Sequence, residues 1–331
     1  DPWDQRIHLP SLPEELIARP TLLWKLQART AGSHTLQTAY ITDGLTWRAD
    51  YNLVLDEKEE RADLGAWVTL MNLSGASYRN ARLKLVAGDV QRARSDGRHQ
   101  MERYAAARAA EAPGGFEEKS FSEYHLYTLS RRTDVMDNST MQLSLFDPAH
   151  GVAVEKRYVL DADAPGAVVQ SAAGNDGAQR LKTGVHVRFL NSRENQLGMP
   201  LPAGKVRVFK RDEADGALEF LGEDVVDHTP RDERVDVRIG FAFDIVGEKR
   251  TLSVRRGERW AEETVQIKVR NRKKERVEVD VLVRTPRGAE WELLRVEGAQ
   301  ADRRSAALVR FPVAVEPDGE AVVEYTLRTR W

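Results

Sequence analysis

Apolar residues recur at every second position along almost the whole chain, and only an extended backbone turns such a pattern into one buried face. Trp47, Ala49, Tyr51, Leu53 and Leu55 share a face, with Arg48, Asp50 and Asn52 between them. Leu83, Leu85 and Ala87 alternate with Arg82 and Lys84, and Val265, Ile267 and Val269 with Gln266, Lys268 and Arg270. Near the C-terminus Val323, Tyr325, Leu327 and Trp331 share a face opposite Glu324, Arg328 and Arg330. Each run predicts an antiparallel strand with one side in a core and the other in water. Turn signals separate the runs: Asp43-Gly44, Asp215-Gly216, Pro286-Arg287-Gly288 and Pro317-Asp318-Gly319. Many short strands joined by such turns imply an all-β protein of tandem antiparallel, immunoglobulin-like β-sandwiches, not βαβ units.

One stretch breaks the alternation. Residues 91–121 are dense in Ala, Arg and Glu, and Gln100 to Ala112 favours helix by propensity before Pro113-Gly114-Gly115 closes it. Its apolar residues are mostly Ala and would bury little, so it reads as a solvated insertion, partly helical or disordered. Asp161 to Gln179 reads as a linker or long loop. A weak echo also runs through VTLMNLSGASY (68–78), VRFLNSRENQ (187–196) and IKVRNRKKERV (267–277), where an alternating strand ends on Asn before a polar turn. Such an Asn can bond its own turn, and repeated modules would give the same echo. The expected division is an N-terminal extension (1–20), a first sandwich with the insertion (21–230) and a C-terminal immunoglobulin-like sandwich (231–331).

Fifty basic against 52 acidic residues remove the electrostatic footprint of a nucleic-acid binder. No run of 18 apolar residues offers a membrane-spanning helix. The absence of cysteine excludes disulfides, cysteine-based zinc or iron–sulfur sites and thiol catalysis. That absence suits an extracytoplasmic protein, and a start at Asp1-Pro2-Trp3 fits removal of a signal peptide. Signatures for dinucleotides, phosphate loops, serine-hydrolase elbows and zinc-protease helices are all missing. Asp212 to Gly216 falls short of a calcium loop and reads as a hairpin turn. The sequons at Asn72 and Asn138 are expected by chance at this length, and core is the default for the tryptophans that fall in strands.

That leaves seven histidines as carriers of metal or acid–base chemistry. His8, His34, His99 and His150 read as surface residues. His186 shares its face with Arg188, opposite Val185, Val187 and Phe189, and so points away from the core. Histidines converging from distant strands, with or without a carboxylate, would bind copper or zinc without any cysteine.

Four blocks stand in order: TDGLTWRADYNLVL (42–55), NLSGASYRNARLKLVAGDV (72–90), NSRENQLGMPLPAGKVRVFK (191–210) and GALEFLGEDVVDHTPRDERVDVRIGFAFDIVGE (216–248). Together they resemble the bacterial domain-of-unknown-function family found at the C-terminus of mucoidy-inhibitor-A-type proteins. The resemblance covers roughly residues 20 to 331. It implies an all-β protein, exported behind a signal peptide into the cell envelope, periplasmic or surface-exposed. It supplies no catalytic residues. Asp227-His228-Thr229-Pro230, within the last block, reads as a tight polar turn in which the histidine caps or accepts. His228, His125 in SEYHLYTL and Asp227 are the candidate metal ligands, the carboxylate able to fix an imidazole tautomer.

The leading functional expectation is a structural or interaction module of the cell envelope, whose partner is an envelope protein or polysaccharide. The alternative is a copper-dependent oxidoreductase, superoxide-dismutase-like, held by those histidines. A third is a carbohydrate-binding surface module.

Overall fold

The alternation is realised as strands. A computed structural model describes residues 23–88, 115–121, 124–164, 168–171, 178–212, 214–286 and 288–331. The strands are β1 (Leu45–Leu55), β2 (Arg61–Asn72), β3 (Tyr78–Ala81), β4 (Lys84–Ala87), β5 (Phe116–Phe121), β6 (Tyr124–Leu129), β7 (Thr133–Val135), β8 (Ser139–Asp161) and β9 (Val168–Ser171). They continue with β10 (Gln179–Leu190), β11 (Gly204–Arg211), β12 (Leu218–Val226), β13 (Arg234–Arg256), β14 (Trp260–Asn271) and β15 (Val277–Arg284). The last four are β16 (Glu290–Glu297), β17 (Asp302–Ser305), β18 (Leu308–Val315) and β19 (Glu320–Arg330). The one helical element among the described residues is a 3₁₀ turn at Arg193–Asn195. The fold is all-β and sandwich-like, as the alternation implies.

The chain divides into two compact units, Asp1–Ala49 with Trp67–Phe146 and Asp50–Ala66 with Asp147–Trp331, and β1, β2 and β8 contribute to both. The turn near residue 230 leads into β13, which pairs with β10 on one side and β14 on the other. The N-terminal extension and most of the insertion lie outside the described residues. The insertion is shorter than expected, because its last residues form β5, zipped to β6 from Phe116↔Leu129 to Phe121↔Tyr124. Within the stretch expected as a linker, β9 pairs with the start of β10.

In the first unit β3 pairs with β7, while β4 and β5 flank β6. Leu85, Tyr127, Leu129, Val68, Leu70, Leu143 and Leu145 are buried there. Burial, with the Glu118 carboxylate nearby, pushes the Tyr127 phenol far above its usual range.

In the second unit the hydrogen-bonded order is β12-β11-β1-β2-β8-β10-β13-β14-β19-β16. A second layer forms where β15 pairs antiparallel with β18 and parallel with β8. Alternate residues of β14 and β19 face those of β15 and β18: Val265, Ile267, Val269, Val323 and Tyr325 against Val279, Val281, Val309, Phe311 and Val313. Phe311 stacks on Tyr325 across the layers, ring centres 5.6 Å apart. Trp331, expected on the same inward face, lies beyond the end of β19 and is exposed.

The echo around three asparagines is a true structural repeat. Asn72 closes β2, Asn191 follows β10 and Asn271 closes β14, each wholly buried. The Asn72 amide donates to the carbonyls of Ala76 (2.8 Å), Val135 (3.3 Å) and Met136 (2.9 Å). Asn191 donates to Met199 (2.8 Å), Thr229 (3.4 Å) and Pro230 (2.9 Å). Asn271 donates to Glu275 (2.7 Å), Val315 (3.2 Å) and Glu316 (3.1 Å). Each Oδ1 accepts a backbone N–H in return, from Ser74, Gly198 and Lys273 respectively. Past each later pair of carbonyls the chain turns through a left-handed residue, Asn138, Asp232 or Asp318, and opens β8, β13 or β19. A short primary amide brings two N–H donors and a carbonyl acceptor to this position, whereas a serine hydroxyl has a single donor hydrogen and an ionised aspartate has none. This burial also takes Asn72 out of reach of glycosylation in the folded chain.

Candidate functional site

His125 lies on β6 in the first unit, partly exposed, with Nδ1 2.8 Å from Glu118 Oε1 on β5. His228 lies in the second unit, in the turn between β12 and β13, where Nδ1 accepts the Ala203 N–H at 3.0 Å. One imidazole nitrogen of His228 is thus committed to the backbone, as the turn reading expects. Asp227 shares that turn, its carbonyl accepting the Thr229 hydroxyl. Among the described residues no group of three or more His, Asp or Glu side chains is placed to hold a metal ion. Of the copper or zinc expectation at His228, His125 and Asp227, the described residues show Glu118 beside His125 and no group of three.

His186 points outward from β10, and the fold gives it a partner 50 residues away. Its Nδ1 is 2.7 Å from Asp236 Oδ1 on β13, and Arg188 Nε donates to Asp236 Oδ2 at 2.6 Å. Burial raises the Asp236 pKa, but the bonds and charges of His186 and Arg188 outweigh it and hold the carboxyl below its usual range. Arg188 also approaches the buried Asp280 (3.8 Å), which Arg310 faces from the other side (3.6 Å). Arg157 pairs with Glu155 and Glu278. This charge ladder joins β8, β10, β13, β15 and β18. Each of its carboxylates is matched by a cation, so the ladder leaves no carboxylate free for a ligand.

A different constellation is left unmatched. In GFAFDIV (240–246) the residues at odd positions continue the inward series of Val235 and Val237, so alternation alone puts Phe241 and Phe243 in the core. The register forbids it. Gly184 pairs with Phe241 and Lys182 with Val246, so four residues, 242–245, stand opposite Thr183. A second irregularity precedes it, where His186 faces Arg238 and Val185 faces Gly240, leaving Ile239 as the extra residue. There β12 leans on β13: a Cβ at Gly222 would meet the Ile239 carbonyl at 1.9 Å, and the Arg238 N–H donates to Asp224 at 2.8 Å. The bulge turns the aromatic rings out. Phe243 is 94% exposed and Phe241 50%. Thr183, opposite the bulge, is wholly buried with no hydrogen-bond partner for its hydroxyl among the described residues.

Beside these rings is an open cavity of about 820 Å³, with Leu181, Phe241 and Phe243 in its wall and Arg180, Lys182, Arg270 and Arg272 around them. Lys182 Nζ sits 5.1 Å from the Phe241 ring centre and the Arg238 guanidinium 5.5 Å, within cation–π range. Arg270 is paired with Glu248 (2.8 Å). Arg180, Lys182, Arg238 and Arg272 make no ion pair among the described residues. Sequence reasoning missed this site. Gly240 inside a strand pattern, with Gly184 on the paired strand, was the available sign of a bulge.

The tryptophans also depart from expectation. None of the six described is fully buried. Trp291 and Trp260 instead lie under the guanidinium groups of Arg303 (4.1 Å) and Arg328 (5.9 Å). The acidic turn at 212–216 is a hairpin, as expected, with Asp212 and Asp215 carboxylates bonding backbone N–H groups of Ala214 and Ala217.

A family model described as Domain of unknown function (DUF4139) matches residues 36–331. No curated protein and no solved structure matches the chain.

Proposed function

Because the chain belongs to the family of domains of unknown function DUF4139, we propose from its geometry that it is an interaction module of the bacterial cell envelope that binds a partner at the β13 bulge. The observation that supports this most is Phe243, held 94% exposed on a strand beside cations that lack carboxylate partners among the described residues. Leaving a phenylalanine in water forgoes about 2–3 kcal/mol of burial. Contiguous aromatic and apolar exposure of this kind marks interaction surfaces. The envelope placement is supported by the lack of cysteine and by the resemblance of four sequence blocks to the C-terminal part of mucoidy-inhibitor-A-type proteins. The test is a photo-crosslinking residue placed at Phe243, at Lys182 and, as a control, at Glu292 on β16, in cells that are then fractionated. Discrete adducts from positions 243 and 182 in the envelope fraction, absent at 292, are expected. Equal labelling at all three positions, or recovery of the protein in the cytosol, would overturn the reading.

A further inference from the structure

The chemistry of the cavity wall selects among occupants, and the selection rests on the interaction reading above. We propose that the occupant is an acidic peptide segment of a partner protein, with apolar side chains against Leu181, Phe241 and Phe243 and carboxylates on Arg180, Lys182 and Arg272. The charge balance supports this choice. Four basic and two acidic side chains line the cavity, and one of those acids, Glu248, is already taken by Arg270. Arg238, over the Phe241 ring, adds a fifth cation. This positive site sits on a chain whose formal net charge is −2. Guanidinium groups bind carboxylates in forked, charge-assisted pairs, which gives an acidic segment both affinity and register.

Other occupants fit less well. A neutral polysaccharide needs acceptors as well as donors, and in this wall only Asp244 and Glu248 carry carboxylates. A bilayer meets convex surfaces, whereas Leu181 and Arg272 here line a concavity.

The test uses the full chain and a fluorescein-labelled peptide of sequence Glu-Leu-Glu-Phe-Glu-Leu-Glu. The same peptide with Lys for every Glu, and phosphatidylglycerol vesicles, run in parallel. Saturable binding of the acidic peptide is expected, weakening as salt rises. It should fall about tenfold or more in Phe243→Ser and in Lys182→Glu. Both side chains are partly or largely in solvent, and unchanged urea midpoints would show that the variants are folded. Absence of binding, equal binding of the basic peptide, indifference to both variants, or binding to vesicles alone would each overturn the proposal. Crosslinks at Phe243 that persist in cells while the peptide fails would sink the acidic-segment chemistry and leave the interaction reading standing. Loss of both would end both.

Discussion

Replacing Asn271 should show how much of this fold hangs on a repeated amide. In the native chain its Nδ2 serves the carbonyls of Glu275, Val315 and Glu316, and its Oδ1 takes the Lys273 N–H. Alanine removes all four contacts at a wholly buried position. A net contribution of about 1 kcal/mol per hydrogen bond, with buried groups left unpaired, gives an expected loss of about 3–4 kcal/mol. Aspartate keeps the shape but turns the donor into an acceptor facing three carbonyls, so only its protonated form is tolerated there. Its folded-state pKa is therefore raised above the unfolded value of about 3.9. The sign follows: Asn271→Asp is least damaging below that pH and loses further stability as pH rises through the raised value. Urea unfolding followed by circular dichroism at pH 4, 6 and 8 measures both effects. A loss under about 1 kcal/mol for alanine, or a pH-independent aspartate variant, would refute the reasoning. Asn191→Ala and Asn72→Ala should cost similar amounts in their own repeats.

Thr183→Val deletes a buried hydroxyl that has no partner among the described residues and keeps the volume, so its unfolding free energy should be unchanged or higher by up to about 1 kcal/mol; a clear loss would mean the hydroxyl is bonded. The lowered pKa of Asp236 implies stability present at neutral pH and lost as pH falls through the folded-state value, so Asp236→Asn should flatten that acid limb, and an unaltered limb would show that His186 and Arg188 do not hold the carboxylate. Copper titrated into the metal-stripped chain should give an isotherm that His125→Ala and His228→Ala leave unchanged, because among the described residues neither ring belongs to a group of three side chains placed to hold a metal. Tight one-to-one binding abolished by both variants would restore the metal site.

The strands of the C-terminal core were legible where each decides its own inward face: Val265 to Val269 on β14 and Val323 to Leu327 on β19 need only period two and one apolar side. The hairpin at Asp215-Gly216 and the asparagine echo were local for the same reason, since a side chain reaches its own turn. The outward direction of His186 is local too, since the pleat sets it, but its partner Asp236 is 50 residues away and no local pattern names it. Phe241 and Phe243 show where local reading fails. Their parity puts them inward, yet the pairing of β10 with β13 admits extra residues where β12 presses on Ile239, and both rings emerge beside Arg180 and Lys182. Alternation states which side of a strand a residue occupies relative to its neighbours in sequence. Which strand lies alongside, in what register, and where the ladder must bulge is settled by packing between segments far apart in the chain, and that is where the candidate site is made.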